Sequence, residues 1–143
     1  MGELRYLLDS NILSEPFRPE PNENVVELIG QHEDAIAMSS VTWHEMVYGC
    51  ERLASGKKQE RLRHYLHHIL KPRVPIVAYD EAAAQWHAQE RARLSKEGLS
   101  RAFEDGQIAA TAATRELILV TRNVKDFLYF EQLQLENWFE SGD

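Results

Sequence analysis

Four carboxylates, Asp9, Glu45, Asp105 and Asp126, stand at points of the chain that a fold could bring together. Clustered acids repel, and each ionised one raises the pKa of the others. A fold tolerates such a cluster mainly when a cation neutralises it. Mg²⁺ and Mn²⁺ prefer hard oxygen ligands, and Mg²⁺ typically keeps waters while bridging to a phosphate. The chemistry open to such a site is hydrolysis of a phosphodiester: one metal activates the attacking water, and a second, when present, stabilises the leaving oxygen. Ser10 and Asn123 could add neutral ligands or orient water. Arg122 and Lys125, flanking the last acid, could steer a phosphate, with plain surface solvation the equal alternative.

Each acid also has a duller reading. Asp9 can hydrogen-bond the amides of Asn11 and Ile12 as a turn residue. Asp105 can complement a helix N-terminal dipole. Glu45 can be a solvated helix position, and Asp126 can cap the segment at Phe127. Other chemistries find less support. His44-Glu45 lacks the histidine four residues on that a zinc-protease site needs, because Tyr48 stands there. His64, His67 and His68 share a helical spacing without a second ligand group, which reads as a polar helix face. There is no glycine-rich phosphate loop and no Gly-x-Ser-x-Gly elbow.

The elements that must position the acids emerge from periodicity and punctuation. Arg5-Tyr6-Leu7-Leu8-Asp9 reads as a buried strand ending at a carboxylate, with Ser10-Asn11 as helix-capping residues. Pro16, Pro19 and Pro21 confine the next stretch to a short helical turn and a loop. Val25, Leu28 and Ile29 mark a short amphipathic helix over 24–31. Ala35-Ile36-Ala37-Met38 is a second strand, and Ser39-Ser40 caps the next helix. That helix carries an apolar stripe of Trp43, Met46, Val47, Cys50, Leu53 and Ala54, from which Glu45 departs. Lys57 to Leu70 is expected as one helix stopped by Pro72. Pro75-Ile76-Val77-Ala78 is a third strand near Asp80. A long helix over 81–96 ends at Gly98, and an alanine-rich one covers 104–114. Ile118-Leu119-Val120-Thr121 is a fourth strand, apolar and β-branched, and Leu133-Gln134-Leu135 is a short fifth. Trp138 and Phe139 are expected to pack on the body or on a partner.

Strands alternating with helices imply an α/β domain, three layers α/β/α around a central, mostly parallel sheet of four to five strands. In such sheets the loops at the carboxyl ends of the strands share one edge, where ligands bind. Asp9 ends the first strand, Glu45 comes after the second, and Asp126 after the fourth. Asp105 opens the helix that leads into that fourth strand.

The 143 residues fit one domain, 1–143, large enough for a continuous core. No segment approaches the ~20 apolar residues of a membrane span, and Met1-Gly2-Glu3-Leu4-Arg5 lacks a signal-peptide plan. A single cysteine, Cys50, gives no internal disulfide, so a cytoplasmic location is expected. The net charge is −7. Proteins that hold nucleic acid by neutralising phosphates are usually basic on at least one face. An acidic chain must bring cations as bound metal or through a local basic patch.

The segments themselves resemble the PIN-domain family, especially bacterial VapC and FitB-type toxins. Tyr6-Leu7-Leu8-Asp9-Ser10-Asn11-Ile12-Leu13-Ser14-Glu15 is similar to the family's opening motif, with Ser10 where Thr is more usual. Ser39-Ser40-Val41-Thr42-Trp43-His44-Glu45-Met46-Val47-Tyr48-Gly49 resembles the second motif, and Glu104-Asp105-Gly106-Gln107-Ile108-Ala109-Ala110-Thr111-Ala112 the third. Leu119-Val120-Thr121-Arg122-Asn123-Val124-Lys125-Asp126-Phe127 resembles the fourth. The resemblance implies an endoribonuclease that uses Mg²⁺ or Mn²⁺, with Asp9, Glu45, Asp105 and Asp126 as metal and catalytic residues and Ser10 and Asn123 in support. It also implies a cognate antitoxin that blocks the site and supplies the contact with operator DNA, and a homodimer. Glu104 departs from the family pattern and is expected to face solvent. Two other readings stay open: a housekeeping nuclease of RNA maturation, and a non-catalytic module whose acidic pocket docks a basic antitoxin tail.

Overall fold

The computed structural model describes residues 3–140; Met1 and Gly2, read above for a signal peptide, and residues 141–143 lie outside them. Five parallel strands form one sheet in the order β3-β2-β1-β4-β5. These are β1 (Tyr6–Leu8), β2 (Ile36–Ser39), β3 (Ile76–Val77), β4 (Ile118–Val120) and β5 (Leu135–Glu136). The helices are α1 (Ser10–Leu13), α2 (Glu23–Gln31), α3 (Ser40–Glu51), α4 (Lys57–His64), α5 (Glu81–Lys96) and α6 (Phe103–Thr114).

The pleat sorts the strand residues onto two faces. Tyr6, Leu8, Ile36, Met38 and Val120 pack with Val25 of α2, Met46 and Cys50 of α3, and Leu66 and Leu70. Leu7, Ala37 and Leu119 pack on the opposite face with Leu94 of α5 and Ile108, Ala109 and Ala112 of α6. The result is the expected three-layer α/β/α sandwich. β1 lies at its centre, paired to β2 through Tyr6–Ile36 and to β4 through Leu7–Leu119 and Leu8–Val120. Cys50 is a buried core residue, as the stripe on its helix implied.

Helix ends are set by local side chains. Asn22 caps α2 by accepting from the Val25 amide, Ser39 caps α3 by accepting from that of Thr42, and Asp80 caps α5 by accepting from that of Ala83. Gly98, at φ 75°, closes α5, and the Leu99 amide bonds back to the Leu94 carbonyl. The carbonyls of Cys50, Glu51 and Leu53, at and beyond the end of α3, all accept from the side-chain amide of the buried Gln59.

Two expectations need correction. The segment 57–70 is not one α-helix: after His64 the chain widens into a π-helical turn over Tyr65–Leu70, with the Lys71 amide bonded to Leu66, five residues back. The wider turn accompanies a bond from the Tyr65 hydroxyl to the Leu13 carbonyl (2.6 Å) while Leu66 and Leu70 stay buried. The fifth strand falls at Leu135–Glu136, later than expected, because its register is set by Leu119 and Val120. Behind it the buried Trp138 packs edge-on against Tyr6.

Candidate active site

Order along the sheet reverses between β1 and β4: from β1 the chain builds outward to β2 and β3, and β4 and β5 lie on the other side. In an open α/β sheet such a switch point leaves a crevice at the carboxyl ends of the strands. Asp9 ends β1 there, its amide bonded to the Val120 carbonyl (2.9 Å). It also caps α1, a role that the sequence suggested for Ser10. Asp9 Oδ1 accepts from the Ser10 amide at 2.8 Å, and Oδ2 accepts from the Thr121 hydroxyl at 2.9 Å and from Asn11 Nδ2 at 3.5 Å. Asn11 in turn accepts from the Arg122 amide (3.0 Å), and the Asn123 amide donates to Thr121 Oγ1 (3.1 Å). This net clamps the ends of β1 and β4. Burial raises the Asp9 carboxyl above its ordinary range, the Ser10, Thr121 and Asn11 donors oppose the shift, and Asp126 adds to it.

The remaining acids come from three other places. Glu45 is exposed on α3, beside the face that buries Thr42, Met46 and Cys50. Its carboxyl is raised first by partial burial and then by repulsion from Asp9 and Glu104. Asp105 lies in the first turn of α6, half-buried, and is pushed up to about 6, first by burial and then by Asp126, Asp9, Glu45 and Glu104. Asp126 is exposed in a 3-10 turn over Val124–Phe127, whose Phe127 is locked into the core. Asp105 therefore stands close enough to Asp9, Glu45 and Asp126 to be raised by all three. Among the described residues, the carboxylates of Glu45, Asp105 and Asp126 accept no hydrogen bond, and no group of three Asp, Glu, His or Cys side chains is arranged to hold a metal ion as it stands. The donor set still fits a hard divalent cation: all oxygen, mutually repelling, and without a competing protein donor on three of the four acids.

A cleft of about 960 Å³ opens beside these acids, lined by Ser40, His44, Glu45, Tyr48, Arg52, Tyr79, Glu104 and Asp105 among others. Glu104, expected to face solvent, is exposed and also belongs to this acidic wall. Tyr48, 59% exposed, has the Arg52 guanidinium over its ring at 5.5 Å. A second cavity of about 370 Å³, which includes Ser10 and Lys58, shares Glu45 and Gly49 with the first. Depressions thus flank Glu45 on both sides. Arg122 stacks on Phe139 at 4.3 Å, and Lys125 stands exposed beside Asp126.

Sequence reasoning missed Thr121 and Asn11 as the partners of Asp9. Their signal was weak: each lies inside a motif read for its acid or its cap, and Thr121 meets Asp9 only through a strand pairing 112 residues apart.

Comparison with known proteins identifies the family. The model of the PIN domain matches residues 6–130. The chain is 35% identical to Toxin FitB of Neisseria gonorrhoeae over 94% of its own length and 99% of that protein's. It is 32% identical to the tRNA(fMet)-specific endonuclease VapC of Shigella flexneri, over 94% and 98% of the two chains. In three dimensions it matches the structure of FitAB bound to an IR36 DNA fragment with a TM-score of 0.88 at 32% identity, covering 96% and 98%. It also matches DNA-bound VapBC from Salmonella typhimurium with a TM-score of 0.81 at 28% identity, covering 94% and 98%. The chain belongs to the PIN-domain family, with relatives among the FitB and VapC toxins.

Proposed function

We propose that this chain is a metal-dependent endoribonuclease and the toxin of a toxin–antitoxin pair, acting as a single PIN domain over 1–143. The observation that carries the reading is that Asp9, Glu45, Asp105 and Asp126 follow β1, β2, the start of α6 and β4, at the switch point of a PIN-domain sheet. When bound, Mg²⁺ or Mn²⁺ supplies the positive charge and Lewis acidity that phosphodiester hydrolysis needs. The four carboxylates hold the cation, directly or through water. Asp9 is the rigid member, fixed by Thr121 and the Ser10 amide. Glu45, Asp105 and Asp126, free of protein donors among the described residues, would complete the set. The Ser10 hydroxyl and the Asn123 amide group orient water, and Arg122 and Lys125 guide the RNA backbone towards the acids.

Names of relatives support ribonuclease chemistry in this family, and the FitAB and VapBC structures support an antitoxin partner. In this proposal the antitoxin covers the acidic edge and carries the contact with operator DNA, and the toxin is a cytoplasmic homodimer. No helix among the described residues is long and apolar enough to cross a membrane.

The test is RNA cleavage by the purified, antitoxin-free protein with Mg²⁺ or Mn²⁺, beside EDTA and Asp9→Asn. Cutting that needs metal and falls to background in Asp9→Asn is expected. Full activity in that variant, with contaminating nuclease excluded, would overturn the assignment. Absence of both cutting and metal binding would favour the docking module instead.

A further inference from the structure

On the far side of α6 from the acidic cleft lies a second site of opposite character. A cleft of about 190 Å³ is lined by His87, Arg91, Ser95, Ser100, Arg101 and Phe103 among others, with no acidic residue in its wall. This is several times the ~30 Å³ that a water molecule occupies in the liquid. Four of the chain's eleven arginines pair with acids among the described residues: Arg18 with Glu15, Arg63 with Glu51, Arg93 with Glu90 and Arg115 with Asp80. Among the described residues, Arg91 and Arg101 form no ion pair. Each is instead held against an aromatic ring: Arg91 over Phe103 at 5.2 Å, and Arg101 over Tyr129 at 3.8 Å. Arg101 Nε is buried with no hydrogen-bond acceptor. The start of α6 adds to this, because Ala102 offers no side-chain cap to the first amides of the helix.

Stacking fixes a guanidinium while leaving its donors free for a planar or tetrahedral anion. Asp105 faces the acidic cleft, and its neighbours Phe103 and Gly106 line the arginine cleft. The two sites thus flank the same first turn of α6, and a helix with its side chains is about 10–12 Å across. We propose that Arg91 and Arg101 form a phosphate subsite for the RNA strand. The strand crosses the first turn of α6, with one phosphodiester at the carboxylates and another in the arginine cleft. This rests on the ribonuclease reading. It answers how so acidic a protein holds a polyanion: cation at one end, stacked arginines at the other.

The test is the affinity of a single-stranded oligoribonucleotide at several salt concentrations, by fluorescence anisotropy with Mg²⁺ present. All variants are built in the full Asp9→Asn chain, so that the RNA is not cut and the proteins compared differ only at the tested arginines. Arg91→Gln with Arg101→Gln is expected to weaken binding about tenfold and to flatten the plot of log affinity against log salt by about 0.7, because one phosphate fewer is neutralised. Arg73→Gln, the same kind of charge change beside α2 and the π-helical turn, is expected to leave both unchanged. Arg91→Lys with Arg101→Lys restores the slope, because an ammonium still neutralises a phosphate, and so separates charge from folding. An unchanged slope in the double Gln variant, or an equal loss in Arg73→Gln, overturns the subsite while RNA cleavage by the unmutated chain leaves the nuclease reading standing. Absence of any RNA binding or cutting overturns both.

Discussion

Both carboxylate oxygens of Asp9 already accept protein hydrogen bonds, whereas the Asp105 carboxylate accepts none among the described residues and bears repulsion from all its acidic neighbours. The Asp105 carboxyl is shifted from 3.8 to about 6 by burial and by those neighbours, so its ionised form opposes folding. Below about pH 4 the group is neutral in both folded and unfolded chains; as pH rises to and beyond 6, its ionisation removes stability from the fold. Asp105→Asn is therefore expected to raise the melting temperature of the metal-free protein by a few degrees at pH 8, with the gain vanishing towards pH 4. Melting in EDTA across that range, by circular dichroism, checks it; a loss of stability at pH 8 would mean that Asp105 does not sit in a repulsive cluster. The acids themselves were legible in the sequence, because strand ends and helix starts announce themselves through Leu7-Leu8-Asp9 and Ser39-Ser40. Their neutral partners were not. Thr121 and Asn11 gain meaning only once β1 and β4 are neighbours, which local spacing does not encode.

Elements hold these residues in place by close packing, most tightly where α5 meets α6. Gly106 comes directly after Asp105, and a Cβ built on it would collide with Nε2 of the buried His87. His87 is fixed in turn by Tyr79 at 3.0 Å and packs on Phe103. Gly106→Ala is expected to cost about 1–3 kcal/mol by overpacking and to reduce RNA cleavage by displacing the turn that carries Asp105. In a His87→Ala background the same substitution should cost little, since the obstructing ring is gone. A denaturant-unfolding cycle over the four proteins measures this coupling, and equal costs in both backgrounds would disprove the contact. The alanine-rich helix was legible as an element, yet the need for glycine within it was not, because the obstacle comes from another helix. The π-helical turn after His64 escaped for a similar reason. Hydrophobic spacing fits one continuous helix, and the departure accompanies a distant carbonyl, that of Leu13.

At the scale of the molecule, three-layer architecture and parallel pairing were legible from the alternation of short apolar runs with amphipathic helices. Strand order was not, although it decides where the crevice lies. A cation bound across that crevice binds the folded chain alone, because its ligands are scattered once the sheet is lost. Mg²⁺ at one hundred times its Kd is then expected to stabilise the protein by about 2.7 kcal/mol, with a much smaller effect on Asp9→Asn at the same concentration. Thermal melts with and without metal measure it, and equal stabilisation of both proteins would place the cation elsewhere. The pairing of β1 with β4 has another consequence, one of timing. Asp9 is made early, and Thr121 comes 112 positions later. At roughly 5–20 residues per second of synthesis, that gap corresponds to about 6–22 s. During that interval the nascent chain gains Glu45 and Asp105 but has no complete sheet to set them against Asp9. The acidic edge is therefore assembled only once the β4 segment has been made, so the site is among the last features of the molecule to form during synthesis.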